Sequence, residues 1–262
     1  MQSLKSGLEV IHFLDKGPRD DFAIVFLNSL GTDFRVWDKL LDVLGDRFRT
    51  VRMDKRGHGL STNYKDDISI ESLAKDVSVL VDSLNLKNIC VVGLSIGGLI
   101  ALELIRQRPN LCNKLILSDT APKIGSENMW AERIKRVQEG GIEAISDDIL
   151  ARWFSNEFLK NKTVELQMWR SMLTRTTKSG YIGCCEAISQ CDLTEQAKLI
   201  NIPTLVIVGD EDGSTPVNLV KDAANLIDGS IFKVIKKAGH LPCVEQPNEV
   251  ASIFLEFLEN NT

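Results

Sequence analysis

Residues 88–107, NICVVGLSIGGLIALELIRQ, change from an apolar, β-branched run to an apolar pattern with helical spacing. The first six residues predict a buried strand, and the pattern from about Ile96 to Gln107 predicts a helix that ends before Pro109. Such a strand-to-helix junction is the setting in which short glycine-rich motifs present a functional group at the edge of a sheet.

The junction itself reads Gly93-Leu94-Ser95-Ile96-Gly97-Gly98, a G-x-S-x-G pattern. Its glycines allow a sharp turn that holds the hydroxyl of Ser95 above the sheet. A dinucleotide-binding loop also lies between a strand and a helix, but its G-x-G-x-x-G pattern needs glycine where Ser95 stands. We therefore interpret Ser95 as a candidate nucleophile, although a serine in an ordinary tight turn would give the same short pattern.

Similar apolar runs recur along the chain and alternate with helical patterns. The runs are FAIVFLN (22–28), RTVRMD (49–54), KLILSDT (114–120), TLVIVGD (204–210) and IFKVIKK (231–237). They are continuous rather than alternating, which predicts strands covered on both faces in a parallel sheet. Helices are predicted at 69–84, with Ser69 as its N-terminal cap, and at 247–260. This alternation predicts an α/β fold with an open, doubly wound, mostly parallel sheet.

The alternation stops between about 121 and 200, where the chain is polar, helical in pattern and without a strand-like run. We predict a core formed by residues 1–120 and 201–262, with a helical cap, residues 121–200, inserted between two core strands. The cap should lie over the carboxyl ends of the strands, where such sheets bind ligands. Its large apolar residues would line its lower face or pack its own interior, and for any single tryptophan the second interpretation is favoured. These residues are Met129, Trp130, Trp153, Met168, Trp169 and Met172.

The composition excludes several classes of protein. With 262 residues, 31 Lys and Arg against 36 Asp and Glu, and a net charge of −5, the chain has no basic stripe for nucleic acid or an anionic membrane. The amino terminus lacks the pattern of a signal peptide, and the longest uncharged stretch, 88–102, is too short to span a bilayer. Six scattered cysteines without metal-ligand spacing predict reduced thiols in a cytoplasmic protein. The oligomeric state is not predicted.

A serine hydroxyl needs an adjacent base, and the base needs an acid to orient it. His240 follows the last predicted strand and is the natural base, because His12 lies in an N-terminal strand and His58 in a Gly-His-Gly turn. Asp212 follows strand 204–210 and is the favoured acid. Asp210 beside it and Asp119 after the preceding strand remain alternatives. The chain order Ser, Asp, His is typical of α/β-hydrolases.

At this point the sequence resembles the α/β-hydrolase superfamily over nearly its whole length, and within it the bacterial 3-oxoadipate enol-lactonases. The resemblance rests on FLNSLGTDFRVWD (26–38), MDKRGHGLS (53–61), GLSIGG (93–98), ARWFS (151–155), GYIGCCEAIS (180–189), GDEDGSTP (209–216) and AGHLPCVEQP (238–247). Asn28-Ser29 stands where many hydrolases of the fold have His-Gly. The resemblance implies Ser95 as nucleophile, His240 as base, Asp212 as acid, and the main-chain N–H groups of Leu30 and Ile96 as oxyanion donors. Cys184 and Cys185 are expected to be small buried residues without a chemical role.

The resemblance further implies that the enzyme opens 3-oxoadipate enol-lactone with water in the β-ketoadipate pathway, without a metal or organic cofactor. Arg152, beside Trp153, is the candidate partner for the substrate carboxylate, although a solvated helix arginine is nearly as good an interpretation, and Arg133 and Arg175 are alternatives. Two other functions stay open. One is another small-acyl or carbon–carbon hydrolase, such as an esterase or perhydrolase, and the other is a ligand receptor of the same fold with slow turnover.

Overall fold

The computed structural model describes residues 1–19, 22–63 and 68–260, so residues 20–21, 64–67 and 261–262 of the predicted core lie outside the described part. One eight-stranded sheet runs through the molecule in the order β1-β2-β4-β3-β5-β6-β7-β8. Its strands are β1 (Gln2–Ser6), β2 (Glu9–Lys16), β3 (Phe22–Leu27), β4 (Arg49–Met53), β5 (Asn88–Leu94), β6 (Cys112–Ser118), β7 (Thr204–Gly209) and β8 (Ile231–Ile235).

The strands from β4 to β8 in this order pair in parallel, and only β1 with β2 and β2 with β4 pair antiparallel. The predicted mostly parallel sheet is therefore confirmed. Strand β5 lies between β3 and β6 and is buried from Ile89 to Leu94. Strand β8 corrects the expectation that every run is covered on both faces. It lies at an edge of the sheet, where Ile231 and Lys233 are exposed, because a strand with one neighbour has less of its surface covered.

Helices cover the sheet on both faces, as expected for parallel strands joined by crossovers. They are α1 (Asp38–Leu44), α2 (Ile70–Ser83), α3 (Ile96–Gln107), α4 (Glu127–Gly140), α5 (Ser146–Trp153), α6 (Asn156–Asn161), α7 (Thr163–Thr174), α8 (Lys178–Ser189), α9 (Thr194–Ala197), α10 (Val217–Asn225), α11 (Pro242–Glu245) and α12 (Pro247–Asn260). The bounds of α3 agree with the sequence prediction. Helix α2 begins after Ser69, whose hydroxyl accepts a hydrogen bond of 3.0 Å from the Ser72 N–H, as predicted.

Helices α4 to α9 follow one another between β6 and β7, together with a short 3₁₀ turn at Ile142–Ile145. All of residues 121–200 are described, and none of them lies in a strand. The helical character of this segment is thus as predicted, whereas the division of the chain into a core and a cap stays a prediction. Among the described residues, none of the helices combines the length and the apolar character that crossing a membrane requires.

Candidate active site

Ser95 lies at the turn between β5 and α3 with φ 58° and ψ −119°. This left-handed backbone is unfavourable for a residue with a side chain and costs on the order of 1–3 kcal/mol. Two close approaches require the neighbouring glycines: a Cβ on Gly97 would stand 2.1 Å from the Leu27 carbonyl oxygen, and one on Gly93 would stand 2.4 Å from the Gly97 carbonyl oxygen. Helix α3 can therefore begin directly against the sheet with Ser95 at its apex.

The turn is tied to the neighbouring strand by main-chain and side-chain hydrogen bonds. The Ser95 N–H donates to the Ser118 carbonyl over 3.0 Å, and the Thr120 hydroxyl donates to the Ser95 carbonyl over 2.7 Å. Ser95 is 8% exposed, and it lines a small cavity together with His240, Ser29 and Leu30. A strained, buried serine fixed on both sides and open to a cavity has the position that a nucleophile requires.

His240 and Asp212 come from the loops that follow β8 and β7. Their Nδ1 and Oδ2 atoms are 2.9 Å apart, and both side chains are buried. Asp212 accepts further hydrogen bonds from the Thr215 hydroxyl (2.7 Å) and from the Ser214 and Thr215 N–H groups (2.7 and 3.1 Å). Burial opposes the ionisation of Asp212, but the His240 ring and these donors outweigh it, so the pKa of the carboxyl lies below its ordinary value. An ionised Asp212 can thus orient the imidazole and stabilise its protonated form.

The two alternative acids, Asp210 and Asp119, have different surroundings from Asp212. The carboxylate of Asp210 is 3.5 Å from the Lys236 ammonium. Asp119 is fully buried, accepts a hydrogen bond from the Gly209 N–H over 2.9 Å, and lies with Asp212 and His240 in a cluster whose ligand atoms are within 4.8 Å of one another. Burial, followed by the charge of Asp212, raises the pKa of the Asp119 carboxyl well above its ordinary value. Burial and the charge of Asp212 thus favour the uncharged form of Asp119, as expected when two carboxyls share one site.

The main-chain N–H groups of Leu30 and Ile96 are the expected oxyanion donors. Ile96 is the first residue of α3, and the N–H groups of a helix's first turn have no partner within the helix. Within the described ranges, the Leu30 N–H makes no hydrogen bond, and Leu30 lines the Ser95 cavity. Neither N–H group has a hydrogen-bond partner among the described residues.

Sequence reasoning missed the two side chains that hold the loop carrying Leu30. The ammonium of Lys55 donates to the Ser29 carbonyl over 2.6 Å and lies 3.3 Å from that of Thr32. His58 Nε2 accepts the Gly31 N–H over 3.0 Å. Burial and the charge of Lys55 lower the pKa of His58 well below its ordinary value, so this ring is neutral. Both residues lie in the MDKRGHGLS motif (53–61), which was the only signal available for them.

Residues between β6 and β7 form the opposite wall of the cavity. This wall contains Ile124, Met129, Trp130, Arg133, Ile149, Arg152, Trp153, Tyr181 and Ile188. Arg152 and Trp153 therefore line the cavity that contains Ser95, although Arg152 is otherwise exposed. The guanidinium of Arg133 lies 4.7 Å from the centre of the Trp130 ring. Two arginines thus border a largely apolar wall.

Other residues of this segment do not border the Ser95 cavity. Met168, Trp169, Met172 and Arg175 line a separate, larger cleft against β2 and the loops after β3 and β4, and none of Ser95, Asp212 and His240 borders it. Arg175 therefore does not line the cavity that contains Ser95. Cys184 and Cys185 are fully buried, as predicted, and all six cysteines are free thiols.

Comparison with known proteins agrees with this architecture. A family model for the alpha/beta hydrolase fold matches residues 23–247. Two 3-oxoadipate enol-lactonases of Acinetobacter baylyi are similar in sequence: enol-lactonase 1 is 34% identical, covering 93% of this chain and 91% of its own, and enol-lactonase 2 is 32% identical, covering 90% and 88%. The crystal structure of the enol-lactonase from Burkholderia xenovorans LB400 superimposes with a TM-score of 0.93 at 32% identity, covering 98% of this chain and 100% of that one. The chain therefore belongs to the α/β-hydrolase family and, with enol-lactonases among its relatives, is an ester-hydrolysing enzyme of that family.

Proposed function

We propose that this enzyme hydrolyses 3-oxoadipate enol-lactone to 3-oxoadipate, within the β-ketoadipate pathway of aromatic catabolism and in the cytoplasm. One observation carries the proposal: His240, paired with the buried Asp212, lines a small cavity together with Ser95, in a chain whose relatives include enol-lactonases. The six free cysteines are consistent with a reducing compartment.

In the proposed mechanism, the Ser95 hydroxyl attacks the lactone carbonyl while His240 takes its proton. The negative charge of the tetrahedral intermediate is stabilised by the N–H groups of Leu30 and Ile96, and Asp212 stabilises the imidazolium. Collapse of the intermediate breaks the ring C–O bond and leaves an enolate that is still joined to the acyl group. The enolate takes a proton and tautomerises to the ketone. The acyl group, still joined to the opened ring, is then released from Ser95 by a water molecule that His240 activates.

The wall formed by the inserted segment supports the choice of substrate. A five-membered lactone ring is apolar on its faces, and Trp130 and Trp153 border the space beside Ser95. The acetate arm of the lactone is an anion, and both Arg152 and Arg133 line the same cavity. Arginine binds a carboxylate through two parallel hydrogen bonds, which fixes its orientation as well as its charge. We propose Arg152, with Arg133 as the second guanidinium, as the partner of this arm.

The function is tested with a spectrophotometric assay of freshly generated 3-oxoadipate enol-lactone beside p-nitrophenyl acetate, using the Ser95→Ala variant as the blank. We expect multiple turnovers of both compounds and a much higher kcat/KM for the lactone. A preference for the simple ester would favour an esterase or perhydrolase of the same fold. A single turnover that then stops would instead indicate a ligand receptor.

A further inference from the structure

The peptide group between Ser29 and Leu30 connects a buried lysine to the cavity. Its carbonyl oxygen accepts hydrogen bonds from the Lys55 ammonium over 2.6 Å and from the Thr32 hydroxyl over 2.9 Å. A trans peptide is planar, so its C=O and N–H point in opposite directions, and the described chain contains no cis peptide. Because the carbonyl is turned toward Lys55, the Leu30 N–H of the same peptide is turned away from it.

This N–H is the expected oxyanion donor. It makes no hydrogen bond within the described part of the chain, while the next N–H along, that of Gly31, is already bound to His58. Ser29 and Leu30 both border the cavity that contains Ser95. The Leu30 N–H is therefore without a partner among the described residues, in a residue that lines the same cavity as the candidate nucleophile.

Lys55 is 3% exposed, an unusual position for a lysine. Burial lowers the pKa of its ammonium to about 8, and the carboxylates of Asp54 and Asp33 partly oppose this effect. Two further titratable neighbours are uncharged near neutral pH, because burial raises the pKa of the Cys184 thiol to about 12 and lowers that of His58. The carboxylate of Asp76, which lines the same small pocket as Lys55, is paired with the Arg56 guanidinium. Below about pH 8 the peptide carbonyl thus accepts a hydrogen bond from a buried cation.

A charged donor makes a stronger hydrogen bond than a neutral one, and in a buried site it polarises the group that it binds. Withdrawal of electron density from the Ser29 carbonyl makes the N–H on the other side of the peptide a better donor. We propose that Lys55 is a positioning residue of the oxyanion hole: its ammonium orients and polarises the Ser29–Leu30 peptide so that the Leu30 N–H stabilises the tetrahedral intermediate. The inference rests on Ser95 as nucleophile but not on the identity of the lactone.

The test compares Lys55→Met with Lys114→Met, using p-nitrophenyl acetate. Lys114 is a matched control, because it is also a buried lysine that donates to a main-chain carbonyl, that of Leu258, over 2.7 Å. An oxyanion forms only in the transition state, and removing an entire donor costs about 10²–10³ in kcat, so a disturbed donor should cost about 10- to 100-fold in kcat with KM within about twofold. Lys114→Met should lower the melting temperature and keep kcat.

Three results would overturn the proposal: a kcat for Lys55→Met within about twofold of the wild type, an effect confined to KM, or an equal loss of kcat in Lys114→Met. The role of Lys55 is distinguished from that of Ser95 by comparing the three variants. We expect Lys55→Met to lose activity, Lys114→Met to keep it, and Ser95→Ala to be inactive.

If Lys55→Met does not fold, the pH dependence of the wild-type enzyme decides the question. Lys55 is charged below its pKa, so kcat, corrected for the rate with Ser95→Ala, should fall as the pH rises through about 8. A kcat that stays constant between about pH 7 and about pH 10 would overturn the proposal, because the lysine loses its charge within that range.

Discussion

The two walls of the Ser95 cavity are built in different ways. The wall from the strand-end loops holds its polar groups by short hydrogen bonds, such as those that tie Asp212 to Thr215 and His240. The wall from the inserted helices is mainly apolar, and its polar groups include the guanidinium groups of Arg133 and Arg152. Groups fixed by several hydrogen bonds suit bond breaking, which depends on geometry within a fraction of an ångström. The apolar wall with its cations suits selection among substrates.

The largest effect is expected when the proposed nucleophile is removed from the wall formed by the strand-end loops. Ser95→Ala should lower kcat by about 10⁴-fold or more for every substrate, because only binding and oxyanion stabilisation remain. The matched control is Ser29→Ala, since the Ser29 hydroxyl lies 3.5 Å from His240 Nε2 in the same cavity. Steady-state kinetics with both variants check the result. A severe loss in Ser29→Ala with near-normal activity in Ser95→Ala would show that Ser29, and not Ser95, is the nucleophile.

The next largest effect is expected at Asp212, the proposed acid, which also belongs to the strand-end loops. Asp212→Asn keeps the shape of the side chain but favours the wrong imidazole tautomer, so kcat should fall by roughly 10⁴-fold. Circular dichroism should show an unchanged fold, and the activity assay supplies the rate. An active Asp212→Asn enzyme would transfer the role to Asp119 or Asp210, and each is then tested by the same Asp to Asn replacement.

A substitution in the wall formed by the helices between β6 and β7 should have a smaller effect, and one that depends on the substrate. Arg152→Ala removes a charge-assisted contact worth about 1.5–3 kcal/mol, which is about 10- to 100-fold in kcat/KM for the lactone. A neutral ester such as p-nitrophenyl acetate has no carboxylate, so its kcat/KM should barely change. Arg152→Lys should recover part of the loss, because an ammonium lacks the planar fork of donors.

Arg133→Ala is the matched variant for this wall, because the second guanidinium lines the same cavity. If Arg152→Ala lowers the kcat/KM of both substrates equally, Arg152 is not the anion partner. A loss specific to the lactone in Arg133→Ala would then assign the role to Arg133.

The smallest effect is expected at Asp119, the second buried carboxyl beside His240. Because burial and the charge of Asp212 favour the uncharged form of Asp119, an amide of the same shape should replace it, and Asp119→Asn should change kcat by no more than about threefold. The same assay used for Asp212→Asn measures it. A large loss would show that the negative charge, and with it the catalytic acid, belongs to Asp119.

The loop wall could largely be predicted from sequence because its geometry demands particular residues. No side chain fits at Gly97 against the Leu27 carbonyl, so the motif is visible in the chain itself. The choice between Asp210 and Asp212 is harder, since the two lie two residues apart and only the fold shows that Asp212 meets His240 and accepts the Ser214 and Thr215 N–H groups, whereas Asp210 lies near Lys236.

The inserted wall could not be predicted in the same way. Which face of each helix meets the cavity depends on packing between elements distant in sequence, so Met129 borders Ser95 while Met168 borders another cleft. Lys55 was missed for a related reason. A lysine is expected at the surface, and only the fold shows that its ammonium reaches the carbonyl of Ser29.

The most direct test of the account is the mass of the enzyme trapped during its reaction with 3-oxoadipate enol-lactone. Acid quenching within the first turnover, followed by peptide mass spectrometry, should find the peptide that contains Ser95 heavier by the full mass of the lactone, because ring opening leaves the enolate attached to the acyl group. With p-nitrophenyl acetate the same peptide should gain only an acetyl group. A lactone adduct on another residue, or hydrolysis of the lactone by Ser95→Ala at the wild-type rate, would contradict the account.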